Sequence, residues 1–299
     1  MVEKHLEEVV GLDVVRGERL ARSTSYRIGG PAALSITAHT YSALSQALSI
    51  LDEDHAAWVV LGRGSNVLVS DEGYDGCVIR LGREFLHFSC SDEGQLTAGS
   101  GVQLSRLVAA CQKEGLSGLE MCAGVPGSMG GAVSINAGTR SEWLGRRVVS
   151  VVTLRPGVGL RRYEASELEW GYRFSSLPTD EIILEVTLSL ESANPSDIAY
   201  KMERRMAYRK RRQPLGKPSC GAVFRDPLDH TAHELIEACG LAGACSGDAQ
   251  ISDINANFVV NNGRATANDV LILISRMHDE VRKQHGIDMA PEVKFLGFK

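Results

Sequence analysis

Two glycine-rich segments, residues 61–69 and 124–132, have the composition of phosphate-binding turns. Each enters or leaves an apolar run, and each presents several main-chain N–H groups with no side chain in the way. A diphosphate requires closely spaced donors and a backbone that can approach the ligand. We therefore expect the two turns to hold one extended, phosphate-bearing cofactor from two sides. The candidate residues are Gly62, Arg63, Gly64, Ser65 and Asn66 in the first turn and Gly124, Gly127, Ser128, Gly130 and Gly131 in the second.

The elements around these turns mix helices and strands without a regular βαβ rhythm, which indicates an α+β fold rather than a doubly wound sheet. Ser196 is predicted to cap one of the helices. Apolar spacing predicts helices over 43–52, 104–114, 196–212, 231–238 and 267–285. Strands are predicted over 58–61, 67–69, 77–81, 148–154, 160–163, 181–190, 222–224, 258–260 and 292–296, and residues 95–101 are predicted to form a strand followed by a turn.

Composition excludes several classes of protein. The 299 residues carry a net charge of −5, which argues against a nucleic-acid-binding surface. No apolar stretch is long enough to span a bilayer, and residues 1–8 lack a signal-peptide core. The seven cysteines are odd in number and have no C-x-x-C spacing, so we expect neither a disulfide framework nor a metal site. The simplest interpretation is a cytoplasmic protein of two or three domains without a nucleic-acid or membrane partner.

Five motifs then follow one another along nearly the whole chain. They are residues 24–32, the turn at 62–69, residues 124–138, residues 170–175 and the block from 219 to 292. In this order they resemble the UDP-N-acetylenolpyruvoylglucosamine reductases, and the lack of a long insertion after Tyr172 is similar to the shorter type II form. The resemblance implies an FAD-binding half of the vanillyl-alcohol-oxidase type and a separate C-terminal α+β substrate domain. We expect FAD-binding subdomains at 1–82 and 83–195, and a linker helix with the substrate domain at 196–299.

The resemblance also implies a chemistry. NADPH reduces FAD, and the enolpyruvyl ether of UDP-N-acetylglucosamine enolpyruvate is then reduced to UDP-N-acetylmuramate for peptidoglycan synthesis. A covalently bound flavin needs a His or Cys at the ring, and neither turn contains one, so we expect non-covalent FAD. The family match adds five residues to the predicted cofactor-binding set: Tyr26, Ile28, Gly29, Gly30 and Asn136.

Two charged residues match the catalytic positions of the family. Hydride addition to an enolpyruvyl group places negative charge on the enol carboxylate, and a guanidinium matches that anion with two hydrogen bonds. By resemblance, Arg173 is this arginine. By resemblance, Glu292 helps to stabilise the developing enol, a role that needs a carboxylic acid whose pKa is raised by burial.

Ala222 departs from the family pattern, in which a serine at this position protonates the enol carbon. Loss of a positioned general acid costs roughly 10²–10⁴ in rate. Three explanations stay open. Ala222 is an inactivating substitution, Cys220 donates the proton from the same face of the predicted strand, or a bound water donates it. The predicted substrate-binding residues are Tyr172, Lys217, Gly221, Ala222, Gln250 and Asn257.

The basic run at 204–212 also has two interpretations. It is either a solvated helix face or a contact for the substrate diphosphate or the 2′-phosphate of NADPH. For the chain as a whole, the expected partner is a UDP-sugar and the expected state is a monomer. The alternative functions are a catalytically impaired flavin- and UDP-sugar-binding relative, which Ala222 favours, and an FAD oxidase of small alcohols or sugars.

Overall fold

The computed structural model describes residues 2–298, and it contains seven α-helices in that range. Among these residues, no helix has both the length and the apolar character required to cross a bilayer. The helices are α1 (Val2–Glu7), α2 (Tyr41–Glu53), α3 (Leu104–Lys113), α4 (Met129–Ser134), α5 (Pro195–Arg212), α6 (Ala232–Ala238) and α7 (Ala267–His285).

The strands of the described residues are mostly short, and many consist of two or three residues. They are β1 (Leu12–Arg16), β2 (Ala32–Ala38), β3 (Trp58–Val60), β4 (Val67–Val69), β5 (Tyr74–Leu81), β6 (Phe88–Cys90), β7 (Gln95–Gly99), β8 (Leu116–Ser117), β9 (Val148–Arg155), β10 (Gly159–Glu164), β11 (Trp170–Gly171), β12 (Phe174–Ser175), β13 (Ile182–Ser189), β14 (Glu191–Ser192), β15 (Cys245–Ser246), β16 (Ala249–Ile251), β17 (Val259–Asn261) and β18 (Lys294–Leu296).

The chain divides into two compact units, each assembled from three segments. Unit one comprises Met1–Arg16, Leu34–Gly62 and Gly76–Ala207, and unit two comprises Gly17–Ala33, Arg63–Asp75 and Tyr208–Lys299. The predicted three-part division at 82/83 and 195/196 stays a prediction. Met1 and Lys299, its outermost limits, lie outside the described residues.

Unit one contains two larger sheets, of four and five strands, and the two-stranded sheets β11-β12 and β14-β8. The first has the order β1-β2-β5-β3 and includes a parallel pair, β3 with β5. Helix α2 begins after Thr40, whose hydroxyl accepts from the Ala43 N–H at 3.1 Å, and it buries Leu44, Leu48 and Leu51. Since these three leucines recur at helical spacing, they form one apolar face that packs into the core with Ile36 and Ile79.

The second sheet of unit one is antiparallel, with the order β10-β9-β13-β7-β6. Helix α3 buries Leu104, Leu107 and Val108 in the core that this sheet covers. The short helix α4 buries Met129 and Val133 in the same core. Helix α4 directly follows the second glycine turn, so this core fixes the position of that turn.

Unit two combines a three-stranded antiparallel sheet, β15-β16-β17, with helices α6 and α7. Helix α7 buries Val270, Leu273, Met277 and Val281, which recur at helical spacing. Strand β18, at the end of the chain, pairs in parallel with β4, and Phe295 lies opposite Leu68.

The fold class is α+β, as predicted, and the bounds predicted for α7 are those observed. Two local predictions are wrong. Ser196 does not cap α5, because the helix begins at Pro195 and the Asn194 side chain accepts from the Ser196 N–H at 3.0 Å. Proline is favoured in this first helical position. Residues 222–224 form no strand, because that segment makes only an isolated bridge from Phe224.

The cap of α7 generates a stability prediction. Thr266 and Asp269 form a capping box, in which each side chain accepts from the other residue's main-chain N–H. We expect Thr266→Ala to lower the free energy of unfolding by about 1 kcal/mol, since an unpaired N–H is left at the helix start. The measurement is urea denaturation. The control is Ser275→Ala on the exposed face of the same helix, which should leave the stability unchanged or raise it slightly, since alanine favours the helix. Equal stability of both variants would contradict the prediction.

Candidate functional site

The second glycine turn has the open donors that an anion requires. Helix α4 begins after Ser128, and the Gly127 carbonyl accepts from the Leu104 N–H at 3.1 Å. Within residues 2–298, no group accepts a hydrogen bond from the main-chain N–H of either Gly127 or Ser128. Two neighbouring, unengaged N–H groups next to exposed Gly124 and Gly131 are suited to a phosphate.

The first glycine turn approaches the second within unit one. A Cβ placed on Gly62 would lie 2.5 Å from the Ser128 hydroxyl oxygen, so only glycine allows this spacing without displacing that hydroxyl. Gly62 is itself exposed, and its N–H donates to no group among the described residues. The two turns are thus adjacent at this point, as one ligand held by both would require.

The residues of unit one fit the cofactor that the family resemblance implies. The donor set consists of uncharged main-chain N–H groups beside small residues, which is the chemistry that a dinucleotide diphosphate needs. A Cβ added to Gly131 would meet only the Ser128 hydroxyl, at 3.5 Å, so there is free space at this position. Gly62, Gly127, Ser128 and Gly131 are therefore the residues that could hold the diphosphate.

Gly130 has a different role from its neighbours. Its N–H donates to the Ser100 carbonyl at 2.8 Å, and an added Cβ would lie 2.7 Å from the Ser100 Cβ. This N–H is engaged and the residue is buried, and cofactor binding by Gly130 itself stays a prediction. Gly130 lets α4 approach Ser100 closely.

The remainder of the first turn belongs to unit two, where two of its residues have packing roles. Gly64 has a φ of 57°, and a Cβ there would lie 2.3 Å from the Ser23 carbonyl oxygen. The Asn66 amide donates to the Glu292 carbonyl at 3.2 Å. Arg63 is exposed, and Ser65 is half-buried. A cofactor role for these residues stays a prediction, and Asn66 also holds the main chain of Glu292.

Two of the early predicted cofactor residues are internal to unit two. Tyr26 is fully buried, and its hydroxyl donates to the Val259 carbonyl at 2.9 Å. Burial raises the pKa of Tyr26 well above its usual value, so the phenol stays neutral. Ile28 is 3% exposed and belongs to the same core. The core of unit two surrounds both side chains, and a cofactor contact by Tyr26 or Ile28 stays a prediction.

Gly29 and Gly30 are also explained by packing. A Cβ on Gly29 would lie 2.8 Å from the Val69 Cβ, and one on Gly30 would lie 2.2 Å from the Asp71 carbonyl oxygen. The Gly30 N–H donates to the Ser70 carbonyl at 2.8 Å, so it is not open to a phosphate. These glycines allow residues 29–30 to contact residues 69–71 closely. The Gly30 N–H is engaged within the protein and is not available to a cofactor.

The structure removes the argument for Cys220 as a proton donor. That argument rested on a strand that does not form, and the side chain lies in the core of unit two. Burial raises the pKa of Cys220 to about 12. The residue is 1% exposed, so the thiol is sequestered from solvent, and its role as a donor stays a prediction without structural support.

Asn257 holds the segment that contains Ala222. Its amide donates to the Phe224 carbonyl at 2.8 Å and accepts from the Phe224 N–H at 2.9 Å. The residue is 5% exposed and its amide is engaged by the main chain, and a substrate contact by Asn257 stays a prediction. Ala222 is half-buried, and an added Cβ on neighbouring Gly221 would meet no atom within 4 Å. The segment therefore has open space next to the position that lacks the family's serine.

The main chain of Glu292 is held from two sides in unit two. Its N–H donates to the Val223 carbonyl at 2.7 Å, and its carbonyl accepts from the Asn66 amide. The residue is half-buried. Since Val223 follows Ala222 directly, the structure brings the Ala222 and Glu292 segments together.

Two predicted substrate residues, Lys217 and Gln250, are linked by Asn262, which was not among the predicted residues. The Lys217 ammonium donates to the Asn262 side-chain oxygen at 2.7 Å, and the Asn262 amide donates to the Gln250 side chain at 3.1 Å. Lys217 and Asn262 are exposed. The pair Asn261–Asn262 before Gly263 was the available signal, since such a turn often positions polar side chains.

Tyr172 and Arg173 form the two-residue turn between β11 and β12 in unit one. Arg173 has a φ of 55°, a left-handed conformation that costs a non-glycine residue about 1–2 kcal/mol. Its guanidinium carbon lies 5.9 Å from the Tyr172 ring centroid. Arg140, which the sequence analysis missed, lies over the same ring at 4.8 Å. Two cations therefore flank one aromatic side chain, which is a favourable environment for an anion.

The neighbouring glycines of α4 generate a matched prediction. We expect Gly130→Ala to lower the stability of the flavin-free protein by about 1–3 kcal/mol, since its Cβ would overlap Ser100. Gly131→Ala should raise that stability by about 0.5–1 kcal/mol, since alanine favours the helix. It should nevertheless weaken binding of added FAD at least about tenfold, because the methyl group fills the free space.

The measurements are thermal unfolding and flavin titration of both variants. Ser100→Gly in the Gly130→Ala background should restore stability by removing the overlapping atom. Equal losses of stability in the two alanine variants would contradict the separation of a packing glycine from a ligand glycine.

Comparison with known proteins covers both halves of the chain. Residues 32–155 match the family model of an FAD binding domain, and residues 213–296 match that of the UDP-N-acetylenolpyruvoylglucosamine reductase C-terminal domain. The chain is 39% identical to the UDP-N-acetylenolpyruvoylglucosamine reductase of Halalkalibacterium halodurans, over 94% of this chain and 93% of that protein. It is 37% identical to that of Bacillus subtilis, over 99% of this chain and 98% of that protein.

A solved structure agrees with these sequence matches. The crystal structure of UDP-N-acetylenolpyruvylglucosamine reductase from Thermus caldophilus is similar with a TM-score of 0.81 and 35% identity, over 95% of this chain and 98% of that one. The prediction of an FAD-binding half followed by a separate C-terminal domain is confirmed. The chain belongs to the family of UDP-N-acetylenolpyruvoylglucosamine reductases.

Proposed function

We propose that this protein uses NADPH and bound FAD to reduce UDP-N-acetylglucosamine enolpyruvate to UDP-N-acetylmuramate, in peptidoglycan precursor synthesis. It is a UDP-N-acetylmuramate dehydrogenase. The observation that carries this conclusion is the match of the whole chain to reductases that are themselves covered almost completely. Cytoplasmic localisation and a monomeric state stay predictions from the sequence.

The cofactor-binding role rests on unit one. When bound, FAD supplies a two-electron carrier that accepts hydride from NADPH and delivers it to the enolpyruvyl group. Gly62, Gly127, Ser128 and Gly131 would hold its diphosphate through main-chain N–H groups, which need no compensating side-chain charge.

Arg173 is proposed as the residue that binds the substrate carboxylate. As hydride adds to the enolpyruvyl carbon, negative charge moves onto that carboxylate, and a fixed guanidinium stabilises the charge where it develops. The Tyr172 ring beside Arg173 and Arg140 limits how far either guanidinium can move. Strain at a left-handed residue within a functional turn supports this proposal, since such strain is concentrated at active sites.

Glu292 is proposed to stabilise the developing enol through a hydrogen bond. This proposal is supported by the two main-chain contacts that fix its position beside the Ala222 segment. Lys217 and Gln250, linked through Asn262, are proposed to contact polar groups of the UDP-sugar. Protonation of the enol carbon then needs a donor other than Ala222, and the open space beside Gly221 favours a water molecule in that role.

A second candidate function is a flavin- and UDP-sugar-binding relative with impaired turnover. Ala222 is the observation that favours it. Anaerobic stopped-flow spectroscopy separates the two candidates, because flavin reduction by NADPH and reoxidation by the enolpyruvyl substrate are measured independently. The reductase is supported by reoxidation with formation of UDP-N-acetylmuramate. A protein that refuses added FAD, or whose reduced flavin is not reoxidised by the substrate, would overturn it.

Restoring the family's hydroxyl tests the proton donor. We expect Ala222→Ser to speed flavin reoxidation by the enolpyruvyl substrate at least about tenfold, since a positioned general acid contributes about 10²–10⁴ in rate. Flavin reduction by NADPH should be unchanged. Ala222→Val is the control for a larger side chain, because it adds bulk at this position without a hydroxyl. No acceleration by serine would show that another donor already works efficiently.

Replacing Arg173 tests both the strain of its left-handed backbone and its proposed role in binding the substrate carboxylate. We expect Arg173→Gly to raise the free energy of unfolding by about 1 kcal/mol, since glycine adopts the positive φ without a steric penalty. Flavin reoxidation by substrate should slow about 10²–10³-fold, on the scale of a lost oxyanion donor. Thermal unfolding and stopped-flow measure the two effects. An equally fast reoxidation in the glycine variant would exclude Arg173 as the carboxylate-binding residue.

A further inference from the structure

Asn136 lies just after helix α4 in unit one and is 1% exposed. Its φ is 46°, a left-handed conformation that asparagine tolerates better than most residues. A buried amide in this conformation must satisfy its hydrogen-bonding groups within the protein. The contacts of this side chain therefore define its role.

Both ends of the Asn136 amide contact main-chain groups. The Nδ2 atom donates to the Gly171 carbonyl at 2.7 Å, and the Oδ1 atom accepts from the Gly145 N–H at 2.8 Å. The amide thus joins two segments that follow it in the chain. Each end of the amide is engaged within the protein, and a cofactor contact by Asn136 stays a prediction from the sequence.

The hydrogen bond from Asn136 to Gly171 acts on the turn that carries Arg173. Gly171 is the last residue of β11, pairs with Phe174 across the hairpin, and precedes Tyr172 and Arg173. Two other contacts hold the same hairpin. The Ser175 hydroxyl donates to the Ser134 carbonyl at 2.8 Å, at the end of α4. The Trp170 ring lies against Gly145, where an added Cβ would be 2.4 Å from a ring carbon.

We propose that Asn136 is a positioning residue for the substrate-reducing step: by holding the Gly171 carbonyl and the Gly145 N–H, it sets where the Arg173 guanidinium meets the substrate carboxylate. The inference rests on the proposed function of Arg173. It follows from physical chemistry, because a charged group stabilises a transition state only where it is held within about 0.5 Å of the productive position. The strained φ of Arg173 makes such support necessary, since an unsupported turn would relax.

The test uses the flavin-loaded protein and the variant Asn136→Gly, which removes the amide and retains the positive φ at no steric cost. We expect flavin reoxidation by the enolpyruvyl substrate to slow about tenfold, on the scale of one to two lost buried hydrogen bonds. Flavin reduction by NADPH and the Kd of FAD should change less than about twofold. In an Arg173→Gly background, Asn136→Gly should cost less than about twofold more, because the group that it positions is gone.

The control is Thr153→Val in β9 of the same unit. Thr153 is fully buried, and its hydroxyl donates to the Glu181 carboxylate, so this variant also loses a buried hydrogen bond. It should lower stability without changing either half-reaction. If Asn136→Gly does not load flavin, Ser175→Ala removes a second contact of the hairpin, and reoxidation should slow at least about threefold.

Three results for the flavin-loaded Asn136→Gly variant would overturn the proposal. They are a weakened affinity for FAD with a normal reoxidation rate, equal slowing of both half-reactions, and a tenfold effect that persists in the Arg173→Gly background. An unchanged reoxidation rate in Ser175→Ala overturns it where the glycine variant cannot be loaded. Failure of the proposed function is distinguishable, because then the unmodified protein itself would show no reoxidation by the enolpyruvyl substrate.

Discussion

Helix α4 packs against Ser100 through Gly130, and the candidate site of unit one is placed by this contact. The helix has only six residues, yet each of its ends adjoins a functional segment. The glycine turn with open N–H groups precedes the first residue of the helix, and Asn136 lies two residues after its last residue. Because the helix is anchored in the core by Met129 and Val133, both segments share one rigid support.

The site also shows how strain and hydrogen bonding are balanced. Asn136 and Arg173 both adopt left-handed conformations, which cost Arg173 about 1–2 kcal/mol and which asparagine tolerates better. One hydrogen bond of the Asn136 amide reaches the Arg173 hairpin through the Gly171 carbonyl, and the other holds the Gly145 N–H; both are shorter than 3 Å. A turn built this way holds a long, flexible guanidinium side chain by its backbone. Such pre-organisation favours binding of charge that appears only during the reaction.

The sequence predicted elements better than it predicted contacts. Helix α7 was placed correctly because its apolar spacing and caps are local signals. Tyr26 and Asn257 belong to family motifs, but a motif does not say whether a side chain touches a ligand or the backbone. That distinction depends on segments distant in the chain, such as the Val259 carbonyl that accepts from Tyr26. The argument for Cys220 lost its support for a different reason, because the position of this residue on a face was inferred from a strand that does not form.

The parallel pairing of β4 with β18 has a consequence for synthesis of the protein. Residues 67–69 leave the ribosome 225 residues before the first of their partners at 294–296. At a translation rate of about 5–20 residues per second, the early strand waits on the order of 10–50 seconds for its neighbour. During that interval its hydrogen-bonding edge and the buried side chain of Leu68 need cover from a chaperone or from the nascent chain itself.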